Sequence, residues 1–113
     1  MDCIFCKIAQ GKLNANIKYE DESVLAFADV NPQAPEHLLI IPRQHIASLN
    51  DLTPAELPLI GKMVATATAL AKEKEQAEAG YRLVMNCNAA GGQTVFHIHL
   101  HLLAGRTLHW PPG

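Results

Sequence analysis

The chain has no excess of basic residues: nine Lys and Arg stand against eleven Asp and Glu, a formal net charge of −2 with histidine neutral. That balance argues against a nucleic-acid duplex as partner, because such binders carry a basic stripe. A single nucleotide needs only a local phosphate site and stays open. No apolar run has the length that a membrane span requires, so no membrane partner is expected. The start, MDCIFCKIAQGK, lacks the basic n-region and long apolar core of a secretory signal, and a cytoplasmic location is expected. Cysteine is scarce and odd in number, at three, which makes a disulfide framework a poor reading in that compartment. Internal repeats, low-complexity tracts and linkers are missing too. What is present is a 49% hydrophobic content over 113 residues, the size of one domain and enough for a core without staples. Residues 1–113 are read as a single globular domain.

The order of elements follows from periodicity and punctuation. CIFCKIAQG reads as a short helix ending at Gly11. The apolar runs 17–20 and 24–29, split by the turn-like DES, read as a hairpin. NPQAPEH is a loop, and HLLIIPR a strand stopped by Pro42. TPAE is a capping box with Thr53 at the N-cap, Pro54 at the first helical position and Glu56 at N3. The helix it opens is expected to run to about Glu78, before Gly80. Leu59, Ile60, Met63, Val64, Ala67 and Leu70 form its apolar face. Pro58 is awkward there, so the first turn bends or the regular helix begins later. Strands are expected over 81–87 and 95–103, joined by NAAGGQ, a loop suited to unusual backbone angles. The sum is an α+β fold, an antiparallel sheet covered on one face by the long helix.

TVFHIHLHLL spends three of the six histidines of the chain at alternate positions, His97, His99 and His101. In a strand these share one face, and Phe96, Ile98, Leu100 and Leu102 share the other. Same-face neighbours lie about 6.8 Å apart, and the outer pair about 13.6 Å, at ~3.4 Å per residue. One metal therefore cannot easily take all three, because its bonds to nitrogen are only about 2 Å long. Separate roles for the three fit better than one three-histidine metal site; the alternative is a solvated, histidine-rich face. Just before them, Gly91 and Gly92 allow backbone N–H groups to converge on an anion, and Gln93 and Thr94 add side-chain donors. The loop alone also reads as an ordinary turn. A phosphate held there would lie beside neutral imidazoles, one able to attack phosphorus and another to donate a proton to a leaving group.

FHIHLHLL fits the His-x-His-x-His-x-x pattern, and SVLAFADVNPQAPEHLLIIPRQHI, GGQTVFHIHLH and HWPPG extend the match over nearly the whole chain. The chain resembles the histidine triad (HIT) superfamily, in its branch of histidine triad nucleotide-binding proteins, which are purine nucleoside phosphoramidases. The resemblance implies a five-stranded antiparallel sheet with one long and one short helix, continued across the two-fold axis of a homodimer. It implies purine nucleoside monophosphates and their phosphoramidates as ligands, and P–N cleavage through a nucleotidyl-histidine. His99 matches the nucleophile, His101 a phosphate contact that helps protonate the leaving amine, and His97 and His37 the supporting histidines. Gly92, Gln93 and Thr94 match the phosphate loop, where Thr94 stands in place of the usual Ser. Asp29 matches the acid that binds ribose hydroxyls, although by itself an Asp ending a strand reads as a turn former. Phe5, Ile8, Phe27, Val30 and Leu39 match the walls of the purine pocket, and without the resemblance all read as core. Asn86 matches a polar residue near phosphate and ribose, and Trp110 a residue that reaches the site of the partner subunit. The alternatives are a nucleotide-binding regulator or adaptor with incidental hydrolysis, and a hydrolase of dinucleoside polyphosphates.

Cys3 and Cys6 form a C-x-x-C, which by itself reads as zinc, thiol redox or chance. The wider superfamily resemblance adds His45 and His97 to give a four-ligand zinc set. That zinc is expected to be structural, with no cofactor required for the chemistry.

Overall fold

In a computed structural model, residues 3–113 are described. A short helix, α1 (Ile4–Ala9), leads into a hairpin of β1 (Ile17–Glu20) and β2 (Val24–Ala28), then β3 (Glu36–Pro42). The long helix α2 (Leu57–Glu73) follows, then β4 (Tyr81–Val84), a single helical turn α3 (Asn88–Gly91) and β5 (Leu100–Ala104). All pairings are antiparallel, in the order β1-β2-β3-β5-β4. The expected α+β class and five-stranded sheet are what is found. Among the described residues no helix is long and apolar enough to cross a membrane.

Strand alternation divides the apolar residues between two cores. Val24, Ala26, Leu38, Ile40, Leu100 and Leu102 point to one face and pack against Met63, Ala67, Leu70 and Ala71 of α2. Burying Met63 and Leu70 contributes about 1.5–3 kcal/mol each, both being almost fully enclosed. Leu25, Phe27, Leu39 and Ile41 point to the other face, where Phe5 and Ile8 of α1 cover them. Leu39 pairs with His101 across β3 and β5, so His101 shares the α1 face.

The ends of the elements differ from the sequence expectation in four places. The Thr53–Glu56 box closes a 3₁₀ turn over Pro54–Glu56, and the α-helix begins only at Leu57. Glu56 accepts from the Thr53 backbone N–H at 2.8 Å. Pro58 thus falls in the first turn, where its missing N–H has no partner to lose. At the other end α2 stops at Glu73, five residues before the expected Glu78. Glu75 adopts φ 60°, and Gln76 N–H returns to Ala71 O at 2.8 Å. This is the usual left-handed helix stop, made by a glutamate where glycine is the expected residue. The fourth strand ends at Val84, before Cys87, and the fifth begins at Leu100, later than the expected 95. Residues 95–99 instead turn toward the segment after β3, with Ile98 N–H donating to Ile46 O at 2.8 Å. The alternation expected from 95 onward therefore fails at Phe96, which is exposed.

Gly105 ends β5 at φ 94°, and a Cβ there would lie 2.9 Å from Pro35 Cβ. Left-handed backbone costs a residue with a side chain about 1–2 kcal/mol, and overpacking adds a comparable amount. Gly105→Ala is expected to lower stability by about 2 kcal/mol or more, read as a shift of the urea midpoint at constant slope.

Candidate active site and metal centre

Helix α1 shows two faces to two different neighbours. Cys3 is its N-cap residue and Cys6 lies in its first turn, with Cys6 N–H donating to Cys3 Sγ at 3.3 Å. Three residues apart on a helix means one side, and both sulfurs face His45 and His97. Cys3 Sγ lies 3.4 Å from His97 Nδ1, Cys6 Sγ 3.3 Å from His45 Nδ1 and 3.5 Å from His97 Nδ1. The two Nδ1 atoms are 3.3 Å apart. Bonds of about 2.0 Å to nitrogen and 2.3 Å to sulfur around a tetrahedral ion give edges near 3.3 Å for N···N and 3.5 Å for N···S. The observed distances are those edges. His97 is fully enclosed and donates from Nε2 to Pro42 O at 2.8 Å, which turns the Nδ1 lone pair toward the sulfurs and supplies the outer hydrogen bond that metal-binding histidines require. Cys3, Cys6, His45 and His97 thus form a set able to hold a metal ion.

The other side of α1 walls a cavity of about 610 Å³ on the sheet face. Phe5, Ile8, Phe27 and Leu39 supply apolar walls, and Val30, 99% exposed, stands at the rim. Asp29, Thr94, His99 and His101 bring the polar groups. The Phe5 ring meets Phe27 and His99 edge-on, with centroids 5.4 and 5.1 Å away. A cleft of about 560 Å³ near Gln76, Arg82 and Arg106 contains neither histidine nor cysteine, so the first cavity is the candidate active site.

Hydrogen bonds fix which nitrogen of each histidine carries its proton. His99 Nδ1 lies 2.8 Å from His97 O. A carbonyl only accepts, so Nδ1 is protonated and Nε2 keeps its lone pair. His37 Nδ1 accepts from Gln33 N–H at 3.0 Å, so its proton is on Nε2. That proton is donated to His101 Nδ1 at 2.9 Å, with the Asp29 carboxylate 3.3 Å from His37 Nε2. His101 Nδ1 is then the acceptor, and its Nε2 carries the hydrogen. The site holds one imidazole with a free electron pair beside one with a free N–H, and their ring centroids are 5.2 Å apart. Asp29, His37 and His101 also lie close enough to suggest metal ligands. The Nε2 proton of His37 and the 2.9 Å separation, shorter than a tetrahedral edge, make this group a hydrogen-bonded relay instead.

Burial favours the neutral form of three of the imidazoles, His37, His97 and His101. It lowers the His37 pKa, with Asp29 opposing, and lowers that of His97, with the bond to Pro42 O opposing. His101 is pushed down to about 4 by burial, reinforced by His99 and His37. A neutral imidazole is what both a nucleophile and a metal ligand need.

The phosphate loop departs from its sequence reading. Gly92 N–H donates to Ala89 O and Gln93 N–H to Asn88 O, both at 3.0 Å, so these two groups are consumed closing α3 and are not free to form a nest. Gly92 serves as the left-handed cap, at φ 91°. Gln93 is buried, its amide nitrogen donating to Ala47 O and Val95 O, its oxygen accepting from Asn88 N–H. It braces the loop instead of facing the cavity. Thr94 does line the cavity. Asn86 stands beside Gly92, its Nδ2 3.7 Å from where a Cβ would be, outside the cavity wall. Trp110 is 82% exposed and does not line the cavity of its own chain, the tail before it held by Arg82 donating to His109 O at 2.9 Å. Leu13, Asn14, Ala15 and Asn16 line the cavity without having been singled out. The signal was available: the pairing of Ile17 with Phe27, extended backwards, sets Asn16 beside Ala28, whose N–H donates to Asn16 O at 3.0 Å.

Comparison with known proteins places this geometry. A family model described as "Scavenger mRNA decapping enzyme C-term binding" matches residues 2–109. A HIT-like protein of Synechococcus elongatus is 51% identical over 112 residues, covering 99% of this chain and 97% of that protein. The purine nucleoside phosphoramidase of Escherichia coli K12 is 46% identical over 107 residues, covering 95% and 90%. The crystal structure of a HIT family hydrolase from Legionella pneumophila superposes with TM-score 0.98 at 53% identity, covering 99% of this chain and all of that one.

The depressed His101 pKa makes stability pH-dependent. Between pH 6.5 and about 4 the unfolded chain binds a proton that the folded chain does not, so stability is full above that window and falls with pH inside it. From pH 7 to pH 5 the loss is expected to be about 2 kcal/mol for this group, with His37 adding in the same direction. Urea unfolding at the two pH values, wild type against His101→Gln, checks it; equal losses in both proteins would refute the assignment to His101.

Proposed function

The chain belongs to the histidine triad (HIT) family of hydrolases, and on that premise we propose that it cleaves the P–N bond of purine nucleoside 5′-phosphoramidates. The observation that carries the reading is the pair of opposite tautomers on one cavity wall, the His99 Nε2 lone pair beside the His101 Nε2–H. Supporting it is the 46% identity to a purine nucleoside phosphoramidase.

The base enters between Phe5, Ile8, Phe27, Leu39 and Val30, and Asp29 accepts from the ribose hydroxyls. His99 Nε2 attacks phosphorus and the P–N bond to the amine breaks. The departing nitrogen takes its proton from His101 Nε2, and solvent restores that proton. The nucleotidyl-histidine that results is cationic on the ring. His97 O, already bound to Nδ1–H, stabilises that charge without reorganising. Water then attacks phosphorus from the side the amine left and gives up a proton to solvent, the P–Nε2 bond breaks with its electron pair returning to His99, and nucleoside monophosphate departs. Thr94 donates its hydroxyl to the phosphoryl oxygens. His37 holds the His101 tautomer. Asn86, Gly92 and Gln93 act by shaping the loop that carries Thr94. The protein works as a homodimer in which Trp110 reaches the cavity of the partner.

Zinc is the ion proposed for Cys3, Cys6, His45 and His97. Two thiolates and two imidazoles at tetrahedral spacing are a closed structural set with no open position, so the ion would tie α1 to the strand segments and take no part in bond breaking. Elemental analysis of untagged protein is expected to give one zinc per chain. A metal-free protein as stable as the purified one would count against the site.

The reaction is tested by mass spectrometry of protein quenched soon after mixing with adenosine phosphoramidate. Wild type is expected to carry a transient adduct of one nucleoside monophosphate. His99→Ala is expected to carry none and to lose at least 10³-fold in kcat, on the order of the loss when a catalytic nucleophile is removed. Faster cleavage of diadenosine polyphosphate than of the phosphoramidate would favour the dinucleotide reading. No amine release at all would leave a nucleotide-binding module.

A further inference from the structure

We infer that the Cys3–Cys6 pair is an oxidation site for hydroperoxides, and that its oxidation opens the nucleotide cavity. The inference rests on the proposed nucleotide and zinc readings and concerns the control of that same site.

Three observations carry it. First, α1 is a wall shared by two centres. Its cysteines face the metal set, while Phe5 and Ile8, on its other side, face the cavity. Second, α1 has few other fixtures. It is six residues long, too short to persist as an isolated helix. Apart from Phe5 and Ile8, its main tie at the far end is Ala9 O, which accepts from Arg43 Nη1 at 2.7 Å. The thiolates therefore anchor its N-terminal end. Third, the Phe5 ring touches both centres, edge-on to His97 at 6.0 Å and to His99 at 5.1 Å between centroids. Movement at the cysteines is thus delivered directly to the cavity wall and to the nucleophile.

The chemistry balances with the peroxide as oxidant. One thiolate attacks a peroxide oxygen, the O–O bond breaks, and the sulfur becomes a sulfenic acid while the other oxygen leaves as hydroxide or alkoxide. The second thiolate attacks the sulfenic sulfur, an S–S bond forms and hydroxide leaves. Two protons from solvent complete two water molecules, or one water and one alcohol. The sulfur pair loses two electrons and the peroxide gains them. Sulfurs three residues apart across the first helical turn are neighbours, as the 3.3 Å bond from Cys6 N–H to Cys3 Sγ reflects. A disulfide no longer offers two thiolates, so His45 and His97 alone cannot keep the ion. A dithiol reductant with added zinc reverses the change.

By linkage, an ion that tightens nucleotide binding is itself tightened by nucleotide to the same factor. AMP should therefore slow zinc loss.

The experiment uses full-length zinc-loaded protein, in wild-type and Cys87→Ser forms, the latter removing the third thiol. Hydrogen peroxide is added, zinc release is read with a chromophoric chelator, and the Cys3–Cys6 peptide is weighed. AMP affinity is measured by calorimetry before and after. The expected result in both forms is one zinc released, a loss of two hydrogens on that peptide, and at least a tenfold weaker AMP affinity, restored by reductant and zinc. Cys6→His, which cannot form the disulfide, is expected to show no loss of two hydrogens on that peptide in the same treatment. A disulfide and zinc release with AMP affinity unchanged would overturn the control of the cavity. Peroxide that oxidises Cys87 while leaving Cys3 and Cys6 as thiols would overturn the oxidation site. Reduced, zinc-loaded protein that fails to bind AMP would instead sink the nucleotide reading, while the zinc and mass measurements still decide the oxidation site.

Discussion

Everything in the reactive centre hangs on the position of His97. Its ring donates to Pro42 O from one nitrogen and turns the other toward two cysteines and His45. Its backbone carbonyl, at the same time, accepts the Nδ1 proton of His99. One residue therefore places a ring among the two cysteines and His45 and fixes the tautomer of His99. The chain cannot run as an ideal strand through this point and do both. It leaves regular pairing over 95–99 and is recovered by β5 only at Leu100. The irregularity is where function has displaced local regularity.

The second constraint is dryness. Burial keeps His37, His97 and His101 from charging, and it would be costly if any ring nitrogen lacked a partner. Among the described residues, no buried side-chain nitrogen or oxygen is left unpaired. The His37 proton goes to His101 and the His99 proton to His97 O, while Gln33 N–H donates to the other nitrogen of His37. A histidine cluster of this kind is stable because its hydrogens are ordered in one direction, from His37 to His101 to the cavity.

Much of this was legible in the sequence. The hairpin, the long helix, the five strands and the α1 helix follow from periodicity and caps. The grouping of His45 with Cys3 and Cys6, and of Asp29 with the pocket walls, came only from likeness to a family, because residues on separate elements meet through pairing that no local pattern encodes. The helix end at Glu73 was missed because Glu75 takes a backbone angle usually left to glycine. A Gly-Gly pair says that the backbone bends, not which carbonyl its N–H groups find, so the bond from Gly92 N–H to Ala89 O was not legible in advance. Gln93 was misplaced for a related reason: an amide serves equally as ligand contact or as brace, and only the position of Ala47 O decides.

Val30 stands exposed at the cavity rim, while the apolar cluster beneath it is packed by the sheet, by α1 and by Ala15 and Val95. The smaller of the two cores thus borders a cavity of about 610 Å³ with room for one more apolar layer. A ligand that supplies this layer is, in packing terms, the last piece of the interior. Its arrival would then be felt as a gain in folding stability that grows with its concentration and as a fall in heat capacity on binding, so that the free and the occupied molecule differ most in how they respond to temperature.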